Sequence, residues 1–195
     1  RISSLVRYLL KKNYKIKVLT NKIVDDDINY DDEDILHNVE KVEVDIKKNK
    51  GKYFKNRDSY IKAFKEIMNV EKFDLVLITA GPYYTLPLCE ISNQQYNTNC
   101  IIDFRDLWIF DVRNLKDFFK PKSLLKKACF FPIEYKAIKN ACSVVTVTEG
   151  WANILKRVYP TNKRKIHVIY NGFDKKYIEK NKLAIVDEYP NILNN

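Results

Sequence analysis

Short apolar runs alternate with helical stripes along this chain, and no two strand-like runs follow one another directly. Residues 16–20, 42–46, 74–79, 143–147 and 165–170 read as short strands, and a sixth opens at Asn99. Between them lie helical patterns. Ile2, Leu5, Val6, Leu9 and Leu10 form the first stripe, with Asn13 suited to end it in a left-handed cap. Asp58 or Ser59 can cap a second helix with Ile61, Phe64, Ile67 and Met68 on its inner face. A third runs from Thr85 towards Tyr96. A fourth runs from Ser123 to about Asn140 and is expected to kink or split at Pro132. Thr148 caps a fifth, which carries Trp151, Ile154, Leu155 and Val158. Residues 25–34 read as an acidic loop and 47–57 as a basic one. This order belongs to an α/β fold, a parallel sheet with helices on both faces and right-handed crossovers. A helix followed by a strand is the second half of a βαβ unit. An earlier strand is therefore expected, and without it the chain should fold poorly or associate.

The run 99–108 (NCIIDFRDLW) starts as a buried strand and breaks into charge with no Gly or Pro between. Asp103, Arg105 and Asp106 thus fall at or just past a strand's carboxyl end, where open α/β sheets bind ligands. A carboxylate there can act as a base or accept bonds from sugar hydroxyls, and Arg105 can grip a phosphate. The plainer alternative pairs Arg105 with Asp106, or uses them to cap the next helix. Gly81-Pro82 marks a second strand tip, where a glycine lets a ligand approach the backbone, or where the chain simply turns. Thr148, Glu149 and Gly150 open a helix whose free N–H groups favour anions, or only cap it. Glu134 lies inside the fourth helix, on an exposed face unless it serves the site.

Residues 108–127 mix Trp108, Phe110, Phe118 and Phe119 with Arg113, Lys116, Lys120, Lys122, Lys126 and Lys127. Such a segment either docks on an anionic membrane or is a solvated face over a few core aromatics. The net charge of +10 favours an anionic partner without choosing one. Four glycines allow neither a dinucleotide fingerprint nor a phosphate loop. Cys89, Cys100, Cys129 and Cys142 form no C-x-x-C pair, and neither His37 nor His167 has a ligand at metal spacing, so reduced thiols and no metal are expected. No apolar run is long enough to span a bilayer, and no signal-peptide pattern is seen. The first residue is Arg1, so the natural beginning is expected upstream. No base-stacking platform points to nucleic acid.

The ordered set of motifs resembles the amino-terminal half of a family 4 glycosyltransferase of the two-domain GT-B type, closest to bacterial enzymes that build capsule, exopolysaccharide or O-antigen sugars. The pieces are residues 5–20 (LVRYLLKKNYKIKVLT), 73–82 (FDLVLITAGP), 101–108 (IIDFRDLW), Glu134 with 137–150 (AIKNACSVVTVTEG), and 165–174 (KIHVIYNGFD). The resemblance implies a Rossmann-like acceptor-side domain over residues 1–172, and a crossover and tail over 173–195 leading to a donor-binding domain. The implied reaction moves a sugar from a nucleotide-sugar co-substrate to a saccharide or lipid-linked acceptor, with retention and without a metal or other cofactor. Asp106, with Asp103 and Arg105, would carry the transfer side of the cleft. Gly81 and Pro82 would shape its floor, with Trp108 and Glu134 also on the substrate. Thr148 and Glu149 would line the rim, and Asn171 and Gly172 would be the hinge. The chain ends at Asn195, soon after the crossover, so the fragment is expected to be inactive alone. A cytoplasmic place, peripheral to the inner face of the plasma membrane, goes with such acceptors. Two other readings stand beside this one: a non-catalytic module holding an anionic membrane or phosphorylated ligand, and a GT-B-like epimerase.

Overall fold

The computed structural model of the chain describes residues 2–22, 39–46, 53–110 and 121–172. Within them the elements run α1 (Ile2–Lys11), β1 (Lys17–Asn21), β2 (Glu40–Val44), α2 (Tyr53–Val70), β3 (Leu75–Ala80), α3 (Pro87–Tyr96), β4 (Asn99–Phe104), α4 (Pro121–Asn140), β5 (Ser143–Thr146), α5 (Glu149–Val158) and β6 (Ile166–Val168). Single 3-10 turns occupy Tyr83–Thr85 and Pro160–Lys165. Every strand pairing among the described residues is parallel, and from β2 onward a helix lies between each strand and the next. Helices cover both sides, which makes the fold α/β and Rossmann-like. The stretches 25–34 and 173–195 lie outside the described residues, as do 47–52 and 111–120, the middle of the aromatic and basic segment.

The strands form two groups, β1-β2 and β3-β4-β5-β6. Among the described residues, β1 pairs only with β2, and β3 pairs only with β4. Leu75 (48% exposed) and Leu77 (40%) on β3 are correspondingly open, while Ile78 and Ala80 further along the strand are buried. The small sheet is held to the rest through Asn21, whose Oδ1 accepts from the hydroxyls of Tyr60 and Tyr84. Lys17 and Lys15 also pair with Glu71 just beyond α2. The main core lies around β4, where Cys100, Ile102 and Phe104 are fully buried against Leu86, Cys89, Ile138, Val144 and Leu155.

Three local expectations change. The second helix begins at Tyr53, not at Asp58 or Ser59, so residues 53–57 are helix rather than loop. Its buried stripe is Asn56, Tyr60, Phe64 and Met68, continued at the start by the half-buried Tyr53. Ser59 donates to the Lys55 carbonyl within the helix, and Asp58 pairs with Arg57, so neither side chain is at a cap. The fourth helix runs unbroken through Pro132. Pro132 is exposed, where a carbonyl freed of its helical bond can reach water, and Phe131, stacked on Tyr159, and Tyr135, tilted against it, hold the turn. The third helix starts two residues late, at Pro87, because the 3-10 turn precedes it and proline favours the first helical position. Asn13 and Asn97 both take the left-handed conformation just past helix ends.

Lys165 shows how the last strand is placed. Its ammonium donates to the carbonyls of Lys139 and Ala141, each at 2.8 Å, and so closes the end of α4 beneath β6.

Candidate functional site

Parallel pairing brings the carboxyl ends of four strands to one edge. Ala80 is level with Phe104, Phe104 with Thr146, and Thr146 with Val168. The residues that follow are Gly81 and Pro82, Arg105 and Asp106, Thr148 and Glu149, and Asn171 and Gly172. All eight are exposed. Four separate stretches of chain thus place their polar residues in one row.

Gly81 carries φ +144°, a conformation strained for any residue with a side chain, and nothing lies within 4 Å of where a Cβ would stand. The backbone there is open to close approach. The Gly81–Pro82 bond is cis. Thr85 Oγ1 donates to the Pro82 carbonyl at 2.9 Å and fixes the turn.

Arg105 has no ion-pair partner among the described residues, so the alternative in which it is spent on Asp106 does not hold. The Asp106 backbone is anchored: the Tyr83 hydroxyl donates to its carbonyl at 3.2 Å, and the Tyr53 hydroxyl donates to the Tyr83 carbonyl at 3.3 Å. Trp108 stacks on Tyr83 (5.0 Å, 7°) and on Tyr53 (5.7 Å, 22°), and meets Phe130 at 5.1 Å. Its ring therefore packs the β4 end onto α2 and the turn after β3, with little face left for a ligand.

Asp103 sits within β4 between Thr79 and Val145, and its side chain is buried beneath the edge rather than open on it. Glu134 is also inside, 1% exposed, so neither an exposed helix face nor the open edge is its place. Its Oε1 accepts from the Tyr159 hydroxyl at 2.6 Å. Burial outweighs that bond and pushes the Glu134 carboxyl up to about 7. The Tyr159 phenol is pushed up as well, by burial and by the neighbouring carboxylate.

Thr148 caps α5 as its sequence suggests, accepting from the Trp151 N–H at 3.2 Å. Glu149 follows in the first turn, where a carboxylate suits the helix dipole.

Asp106, Arg105, Gly81, Pro82, Thr148, Glu149, Asn171 and Gly172 thus share the edge, whereas Asp103, Glu134 and most of Trp108 lie behind it. Sequence reasoning passed over Tyr53 and Tyr83, which hold the β4 end, and Tyr159, which donates to Glu134. Only Tyr83 had a local signal, its place directly after Gly81-Pro82.

An exposed carboxylate beside an unpaired guanidinium, an open glycine backbone and a capped helix start can together receive a polar, hydroxyl-rich or phosphorylated molecule. Among the described residues no three His, Cys, Asp or Glu side chains come together in a way that would hold a metal ion. A search of curated proteins finds no match. The sequence profile of Glycosyltransferase Family 4 matches residues 1–177, nearly the whole chain, and on that match the chain belongs to glycosyltransferase family 4.

Proposed function

We propose that the chain is the acceptor-binding half of an enzyme that moves a sugar from a nucleotide-sugar to a cell-surface polysaccharide or lipid-linked acceptor. The observation that carries this is the pairing of open Arg105 and Asp106 with the open Gly81 backbone on adjacent strands of the carboxyl edge. Asp106 acts on the acceptor hydroxyl, Arg105 holds an acceptor phosphate, and Thr148 and Glu149 form the rim. The donor is held mainly by a second domain, Asn171 and Gly172 form the hinge towards it, and this half alone is inactive. Transfer proceeds with retention at the anomeric carbon and needs no metal.

The acceptor is met at an anionic membrane. Leu125 (67% exposed) and Leu124 lie open near the start of α4, and Phe54 lies open at the start of α2. Phe54 stacks on Phe130 of α4 at 6.1 Å, with the Arg57 guanidinium 4.9 Å over its ring. Apolar side chains beside cations, on a chain of net charge +10, fit a headgroup layer. No described helix is long and apolar enough to cross a membrane.

The full-length protein is expected to transfer labelled sugar from one of a panel of nucleotide-sugars to polyprenyl-phosphate-linked sugars carried in anionic vesicles. Leu124→Glu with Leu125→Glu should lower that rate about tenfold or more and leave transfer to a water-soluble acceptor analogue unchanged. No transfer from any donor contradicts the enzymatic reading. Equal loss, or no loss, on both acceptors contradicts the membrane surface.

A further inference from the structure

Tyr53 and Tyr83 carry hydroxyls that their packing does not require. Both rings stack on Trp108, Tyr83 at 5.0 Å and 7° and Tyr53 at 5.7 Å and 22°. A phenylalanine would fill either place in that stack. The hydroxyls instead serve main-chain carbonyls. Tyr83 donates to the Asp106 carbonyl at 3.2 Å, and Tyr53 donates to the Tyr83 carbonyl at 3.3 Å.

The two bonds run in series across three elements. Tyr53 is the first residue of α2, Tyr83 lies in the turn after β3, and Asp106 is two residues past β4. Residues 105–110 are neither helix nor strand, so no ladder of their own fixes them. The segment is held from the side, at the Asp106 carbonyl by Tyr83 and at the Trp108 ring by both tyrosine rings. Tyr83 directly follows Gly81-Pro82, so the Asp106 backbone takes its place from the open Gly81 turn. Tyr53 in turn fixes Tyr83 by its carbonyl. Burial pushes the Tyr53 phenol up from its ordinary value, so it stays a donor at any working pH.

We infer that Tyr83 is a positioning residue for the transfer step, and that Tyr53, on α2 and away from the carboxyl edge, acts on the same step through it. This rests on reading Asp106 as the group that acts on the acceptor hydroxyl. A carboxylate that takes a proton must stand within hydrogen-bond reach of it. A small displacement of the Asp106 backbone therefore costs rate rather than binding. Neither phenol exchanges a proton with the substrate; each holds a carbonyl in place.

The test compares Tyr83→Phe, Tyr53→Phe and the double variant of the full-length protein, since phenylalanine keeps both stacks and removes only the bonds. Tyr83→Phe is expected to lower kcat about three- to tenfold, the worth of one hydrogen bond, with KM for donor and acceptor within about twofold. Tyr53→Phe should lower kcat about two- to fivefold. The double variant should fall no further than Tyr83→Phe, because the second bond acts through the first. The pH profile of kcat should keep its shape in all three, whereas loss of a phenol that moved a proton would change it. Hydrogen exchange of the substrate-free protein over residues 105–109 should be about threefold faster in Tyr83→Phe. Losses that multiply in the double variant, a loss confined to KM, an altered pH profile, or an unchanged kcat in Tyr83→Phe overturns the inference. Unchanged exchange over residues 105–109 in Tyr83→Phe overturns it as well, and that reading needs no turnover. A protein that transfers sugar from no donor would instead sink the proposed function, with the exchange result still deciding whether the phenols hold the segment.

Discussion

Asp106→Ala in the full-length enzyme is expected to lower kcat/KM for transfer by about 10²–10⁴-fold, the range typical of a lost general acid or base. Asp106 is exposed at the carboxyl edge, and its backbone is fixed by Tyr83. Removing its carboxylate therefore changes chemistry without opening the core. Asp106→Asn should recover little of the loss, because the amide keeps the shape but cannot take a proton. Affinity for the nucleoside diphosphate should stay within about threefold, since the donor sits on the other domain in this reading. Turnover of Asp106→Ala near the unsubstituted rate would remove Asp106 from the chemistry. A loss seen wholly as weaker donor binding would move it to the other side of the cleft.

The second large effect concerns stability and pH. The Glu134 carboxyl is raised from 4.5 to about 7 in the folded chain. Below about pH 4.5 both folded and unfolded chains hold the proton, and the group adds no pH dependence. Between that value and about 7 the folded chain keeps a proton that the unfolded chain has released, so stability falls as pH rises. Well above 7 the full cost stands, about 3 kcal/mol at 1.36 kcal/mol for each pKa unit. Glu134→Gln resembles the protonated form at every pH. It should match the unsubstituted protein below about pH 4.5 and exceed it by that amount at pH 8 and above. Urea midpoints across this range check it. A difference between the two proteins that does not change with pH would show that the buried carboxyl does not titrate there.

These two residues also show what the sequence made legible and what it did not. Asp106 was readable because its signal is local: an apolar run that breaks into charge at 103–106 marks a strand tip, and the parallel order of strands puts every such tip on one edge. The Thr148 cap and the left-handed Asn13 were readable for the same reason, as each depends on neighbours within a few positions. Glu134 was not. What determines its place is a phenol 25 residues away, which helical spacing alone cannot find. The start of α2 was hidden in a similar way. Tyr53 is flanked by basic residues and reads as loop until Trp108, Tyr84 and Phe130 are seen packed against its ring. Pro132 misled because its effect depends on exposure: a ring facing solvent leaves the helix intact. Asp103 and Asp106 looked equivalent in sequence. Strand alternation and the end of β4 separate them, one buried in the sheet and one open at its edge.

Hydrogen exchange of the full-length protein, with and without a polyprenyl-phosphate-linked sugar acceptor, tests most directly whether the carboxyl edge receives the acceptor. Protection is expected in the turns after β3, β4 and β5, at residues 81–85, 105–109 and 147–151, with the opposite ends of the same strands unchanged. Protection confined to those opposite ends, or to the second domain alone, would contradict the site.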